Sequence, residues 1–268
     1  MKKLSRILSI LPLVLLASPL ILAWIPGSFF EGAFLASLMD ASYGASLLAS
    51  FRELSVTLAA TMVFAMALTI ILGYTSVLSM RFGRAGASVL NAVESVPAIL
   101  VALFCYAPVS GYLARHTSAA SQSMSLFVFI LAATITTLPE AVRGIAIPLT
   151  DLYHRKYSIS FRSYGFTKRR ILAVLMNTAS MRNALKRAAA GILLKTLVLD
   201  CSFGFIIQLG FGSYGTPAHM SPGALIAANR DALFEGGRPL LFWLPSALLV
   251  AVSTAFLLTL NDRREESV

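Results

Sequence analysis

"DLYHRKYSISFRSYGFTKRRILAVLMNTASM", residues 151–181, is a long basic interruption in a chain that is otherwise oily. Tyr157, Phe161 and Tyr164 follow an i, i+4, i+7 spacing, which places three aromatics on one helical face beside Arg155, Lys156 and Arg162. Gly165 stands where it can end that helix, because glycine adopts the left-handed conformation of a helix C-cap without strain. Beyond it, Ile171, Val174, Leu175 and Thr178 recur at helical spacing after Lys168, Arg169 and Arg170. The segment is therefore expected to form two short amphipathic helices joined by a glycine bend, inside a loop spanning 149–187. A loop of that length within a small domain usually carries function. Two uses remain open at this point: docking on a partner protein, or lying on anionic lipid.

Outward from this loop, composition sets the class. The 268 residues are 57% hydrophobic and only 13% charged, more apolar than a soluble core requires. Six apolar segments, at about 8–25, 54–79, 88–113, 124–148, 188–211 and 239–260, approach bilayer-spanning length. As helices they would satisfy their own backbone hydrogen bonds where water is absent. The expectation is an all-α polytopic membrane protein, one domain over 1–268, with about six transmembrane helices and the basic loop between the fourth and fifth. The first segment is read as a span in preference to a cleaved leader, since "AWIPG" is a poor small-residue cleavage site.

The formal charge of +10 does not indicate nucleic acid, because the cations are not interleaved with aromatics along a polar groove. Most of the 22 Lys and Arg fall instead in 1–7, 80–87, 149–187 and 261–268. Arg52, Arg115, Arg230 and Arg238 lie in the opposite set of loops, so the positive-inside rule predicts that both termini are cytoplasmic.

Catalytic patterns are missing from the sequence. His116, His154 and His219 are scattered, with no H-E-x-x-H pair, and no G-x-S-x-G turn occurs. The nearest approach to a phosphate-cradling loop is "GILLKT", residues 191–196, which lacks the second glycine. Cys105 and Cys201 sit in apolar runs without metal-ligand spacing. No metal site, bound cofactor or enzymatic activity is expected of the chain.

Ionisable residues inside spans are costly and suggest function. Glu94 and Lys195 fall at similar depth in the third and fifth segments, so they are expected to form a pair beside a pore. Asp200 lies deeper and is a candidate for lining the path. Gly204, Gly210, Gly212 and Gly215 cluster at the outer end of the fifth segment, with Gly210 and Gly212 candidates for a flexible outer gate; the structural alternative is close helix packing. Pro97 and Pro139 are expected to kink their spans.

Several fragments taken in order resemble the permease subunits of bacterial ABC importers, in the oligopeptide, dipeptide and nickel branch. "YSISFRSYG", residues 157–165, keeps the spacing of that family's Glu-Ala-Ala loop motif, with Ile159, Ser160 and Phe161 at the three motif positions. "LPEAVRGIAIPLTDLYHRKY", 138–157, aligns Pro139, Arg143 and Tyr157 with the stretch leading into the motif. "SFGFIIQLGFGSYGTPAHMSPGALIAANRD", 202–231, matches at Gly210, Gly212, Gly223, Ala224, Arg230 and Asp231. "LLASFRELSVTLAATM", 47–62, and "NAVESVPAILVALF", 91–104, resemble the second and third spans, so the likeness covers roughly 45–235. The motif glutamate is replaced by Ile159, and the family's first external loop signature is absent from "FLASLMDASYGASL".

The resemblance implies half of a translocation pore in the bacterial inner membrane. Its partners would be a second, related permease chain, two cytoplasmic ATPase subunits holding ATP and Mg, an external solute-binding protein and membrane lipid. Tyr157, Phe161, Arg162, Tyr164, Gly165, Lys168 and Arg169 would then dock on the ATPase, the aromatics as buried anchors and the cations against an acidic rim. A proton-coupled secondary transporter using Glu94 and Asp200, and a subunit that has lost transport, are the alternatives.

Overall fold

The computed structural model describes residues 14, 16–24, 41–113, 119–210, 221–234 and 238–261. Among them the protein is all-helical. Residues 16–22 are helical, and residues 8–13, 15 and 25 of the first expected span lie outside the described residues. The other helices are α1 (Ala41–Leu78), α2 (Met80–Glu94), α3 (Ala98–Leu113), α4 (Ala119–His154), α5 (Lys156–Ser163), α6 (Lys168–Met176), α7 (Ala179–Gly210), α8 (Pro222–Ala228) and α9 (Leu240–Asn261), with a 3-10 turn at Arg230–Leu233.

Four of these, over Tyr43–Leu78, Ser123–His154, Ala179–Ile206 and Leu240–Leu258, are long and apolar enough to cross a membrane. At 1.5 Å per residue the 36 residues of α4 extend about 54 Å, well beyond a hydrocarbon core of about 30 Å. Its ends therefore project into the headgroup region or past it. The hydroxyls of Thr136, Thr137 and Thr150 inside α4 return to the helix's own backbone, as Thr137 Oγ1 does to the Ala133 carbonyl at 2.9 Å.

The 88–113 segment departs from a single span further than the kink expected at Pro97. Arg81–Glu94 and Ala98–Pro108 are bent by 88° across a short break, and together they make at most one further span. Pro97 explains the break, since it lacks an N–H and pushes Val96 out of helical geometry. A second sharp turn precedes α2. Ser79 is extended (φ −124°, ψ 120°), and a Cβ at Gly83 would lie 2.6 Å from the Ser76 carbonyl oxygen.

α1, α4 and α7 form the centre of the bundle. Near one end, Ala65, Ile145, Leu149, Leu152, Ile171, Leu172, Leu175, Met181 and Ile192 share a buried cluster, so α6 is part of the core and not an appendage. Towards the other end, Leu54 and Leu58 of α1 pack on Leu197 of α7 and Val252 of α9. Phe129 of α4 and Phe203 of α7 close the layer below α3, with Tyr106 edge-on to Phe203. Arg52, expected in an external loop, instead lies in α1. Its guanidinium donates to the Ala23 carbonyl at 3.1 Å and sits over the Trp24 ring, tying the first helical segment to the bundle.

Candidate functional site: a helical hairpin and the charges of the spans

The expected loop of 149–187 narrows to a hairpin over 155–178, because α4 continues to His154 and α7 begins at Ala179. Arg155 is extended (φ −70°, ψ 156°) and separates α4 from α5. Gly165 has φ +80°, and two backbone bonds close the end of α5: Gly165 N–H to the Arg162 carbonyl at 2.9 Å, and Phe166 N–H to the Phe161 carbonyl at 3.1 Å. This bond pair is the Schellman arrangement. Its accompanying apolar contact is also present, the Phe161 and Phe166 rings meeting edge to face at 5.7 Å.

The hairpin is pinned to three long helices. Lys168 Nζ donates to the Leu78 carbonyl at 3.0 Å, placing a cation on the negative C-terminal end of α1. Tyr74 Oη donates to the Arg169 carbonyl at 3.1 Å, a second tie to α1. Arg162 donates to the Tyr153 carbonyl at 2.9 Å, and its guanidinium lies 4.4 Å from that ring's centre, which Lys168 also approaches. Buried Ser158 donates to the Leu152 carbonyl at 3.0 Å, satisfying an end group of α4. Ile171, Leu172 and Leu175 bury against Met181 and Ala184 of α7.

The expected docking set therefore divides. Phe161 turns inward against the core, while Tyr157 is 40% exposed and Tyr164 80%. Arg162 and Lys168 donate to backbone carbonyls of α4 and α1 and so hold the hairpin in place. Arg170 covers the Phe166 ring at 4.8 Å. Arg169 is exposed. Ile159, at the position of the motif glutamate, is 54% exposed and adds an apolar side chain to the outer surface. The aromatic spacing was legible in the sequence, but a helix of two turns can bury one residue of such a face and expose its neighbours.

The expected pair between Glu94 and Lys195 does not form. Glu94 pairs with Arg143 of α4, and Lys195 Nζ meets Glu140 of α4 at 2.5 Å. Arg143 also donates to Asn91 Oδ1 at 2.6 Å. α4 thus stands between the two residues and offers each an opposite charge from positions three apart, which share a helix face. All four side chains are between 42% and 64% exposed, although they lie within or beside the apolar segments. An open cavity of about 480 Å³ flanks Glu140, with Gly144, Arg187 and Gly191 in its wall. Asp200 is fully buried in α7.

Gly210 is the last residue of α7, and Gly212 lies outside the described residues. Towards that end of α7, Gly204 and its neighbour across the helix contact, Gly223, are tightly packed. A Cβ on the first would come within 1.7 Å of Ser221 Oγ, and on the second within 1.9 Å of the Cys201 carbonyl oxygen. α8 is held against α7 by these two close approaches, the packing role that small residues serve in lipid. Among the described residues, no group of three or more His, Cys, Asp or Glu could hold a metal ion. No protein-family model matches the chain, and no curated protein matches it in sequence.

Proposed function

We propose that this chain is the membrane-spanning permease subunit of an ATP-driven importer, forming half of a pore for peptides or metal complexes in a bacterial inner membrane. Both termini are then cytoplasmic. ATP and Mg are held by two separate ATPase subunits, a second permease completes the pore, and an external binding protein delivers the solute.

One observation carries this reading. The 155–178 hairpin is anchored to α1 through Lys168 and Tyr74, to α4 through Arg162 and Ser158, and to α7 through its buried leucines. Tyr157, Ile159 and Tyr164 remain on its surface. A body that seats these side chains and then moves would displace three long helices together, which is what a motor subunit needs from its pore. Aromatic side chains are frequent energetic centres of such contacts.

The test is affinity purification of the tagged chain from mild detergent, beside a Tyr157→Ala, Tyr164→Ala variant. Both substitutions are at exposed positions, so the fold should be kept. An ATPase subunit recovered with the native chain and lost from the variant, at unchanged melting temperature, is the expected result. Absence of any ATPase from both preparations would sink the proposal.

A proton-coupled carrier is the second reading, favoured by the half-exposed pairs Glu94 with Arg143 and Glu140 with Lys195. Solute uptake into vesicles driven by an imposed proton gradient without ATP would select it.

A further inference from the structure

α4 and α7 run in opposite directions and share a cavity between two matched rows of residues. Glu140, Gly144 and Pro148 stand four apart on α4, and Arg187, Gly191 and Lys195 four apart on α7, so each row lies on one side of its helix. Glu140 reaches Lys195 at one end. The cavity, of about 480 Å³, has Glu140, Gly144, Pro148, Arg187 and Gly191 in its wall. The two glycines leave it open, since a Cβ on either would meet no neighbouring atom within 4 Å.

Its depth is marked by α9. The apolar stretch Leu240–Leu258 has 19 residues, about 28 Å of helix, which matches a hydrocarbon core of about 30 Å. Leu257, next to the end of that stretch, also lines the cavity. Arg187 stands near the start of α7, directly after the hairpin. The cavity therefore opens at the hydrocarbon edge on the hairpin side. Lys195 lies two turns beyond Arg187, about 12 Å further in along the axis. Lipid tails are a poor cover for this wall. Its carboxylate, ammonium and guanidinium are all exposed by the chain, and they would lose hydration against hydrocarbon but keep it in a wet cavity.

The wall also carries an excess of one sign. Glu140 is offset by Lys195. Among the described residues, none makes a hydrogen bond or ion pair with the Arg187 side chain. Asp151 and Arg143 line the groove on the opposite side of α4, and Glu94 pairs with Arg143 there. Exposed Arg182 and Lys186, near Arg187 on α7, add charge of the same sign. We infer that this cavity is a water-filled vestibule, open on the hairpin side, that admits small anions in preference to cations, with Arg187 as the selecting charge and the Glu140–Lys195 pair at its inner end. It does not depend on the importer reading, since exposure and charge alone define it.

Gly144→Cys and Gly191→Cys would be made separately in a chain with Cys105 and Cys201 replaced by Ser. Both have room for the new side chain, and an unchanged melting temperature would verify the fold. Val63→Cys, at a position of α1 that is 67% exposed, serves as the control facing lipid. Native membrane fragments, open on both faces, would be treated with an anionic or a cationic methanethiosulfonate, each rate being divided by that of a free thiol in water. Both glycine positions should react while Val63→Cys stays unmodified, and the anionic reagent should be favoured at Gly191→Cys. Adding Arg187→Gln should slow the anionic reagent there roughly threefold and speed the cationic one roughly threefold, the effect of one unit charge acting through water over about 6 Å. Glycine positions as unreactive as Val63→Cys would overturn the vestibule and mean that lipid or a partner chain covers the cavity. Equal normalised rates for the two reagents, unchanged by Arg187→Gln, would overturn the preference for anions.

Discussion

The hairpin over 155–178 and the helix Met80–Glu94 are both short, amphipathic and basic, and their sequences look alike in kind. Their cations do different things. In the hairpin, Arg162 and Lys168 donate to backbone carbonyls and lie over Tyr153, and Arg170 covers Phe166, so positive charge is spent on holding the element to the bundle. In α2 the apolar side stays open, and the helix is fastened through Asn91 and Glu94 at its far end. A basic amphipathic pattern therefore does not say whether its charges face a partner, a lipid or the protein's own frame. What decides is whether backbone carbonyls and aromatic faces of neighbouring helices lie within reach.

That contrast can be broken or sharpened by substitution. Leu172, fully buried beneath the hairpin, should cost about 2–5 kcal/mol when changed to Ala, read as a large fall in melting temperature in detergent. A small effect would mean that the hairpin is not part of the core. Lys168→Met removes a charged donor from the C-terminal carbonyl of α1, and a loss of about 1.5 kcal/mol is expected. The corresponding Arg81→Gln in α2 should leave the melting temperature unchanged in lipid-free detergent.

Gly165→Ala places a side chain at φ +80° and should cost about 1 kcal/mol, with looser hairpin protection in hydrogen exchange. A double-mutant cycle between Glu94→Gln and Arg143→Met should show coupling of about 0.5–1 kcal/mol, modest because both side chains are partly exposed. The cycle between Glu94→Gln and Lys195→Met should be additive, and coupling there would contradict the observed pairing. A small effect, within about 0.5 kcal/mol, is expected for Val89→Ala on the open side of α2.

Much of the hairpin was readable in advance because its signals are local. The 3.6-residue period of Tyr157 to Tyr164 and of Ile171 to Leu175 needs only nearest turns, and Gly165 carries its own conformational permission. The inward turn of Phe161 and the assignment of Arg162 and Lys168 were not readable. They depend on Tyr153, Leu78 and Phe166, and Leu78 lies 90 residues from Lys168.

In the spans, depth along each segment placed Glu94 and Lys195 at similar levels, yet depth is one coordinate of three. The rotation of α4 brings Glu140 and Arg143 between them, and no periodicity within 88–113 or 188–211 encodes that rotation. Pro97 announced a disturbance, but a kink and an 88° elbow share the same sequence cause. Tertiary contacts separate the two, and α2 found its place through the polar contacts of Asn91 and Glu94 with Arg143.

By itself, the sequence determined the helical class, the apolar segments long enough to meet a bilayer, the concentration of cations in particular connections and the glycine-bent hairpin. These follow from hydropathy, helical period and backbone sterics, all of which act over a few residues. Only the tertiary structure decided which charges pair, which aromatic turns towards the core, and which amphipathic side stays open. Coulombic and packing forces act over a few ångströms, and distances of that size between residues far apart in the chain exist only once the helices have packed.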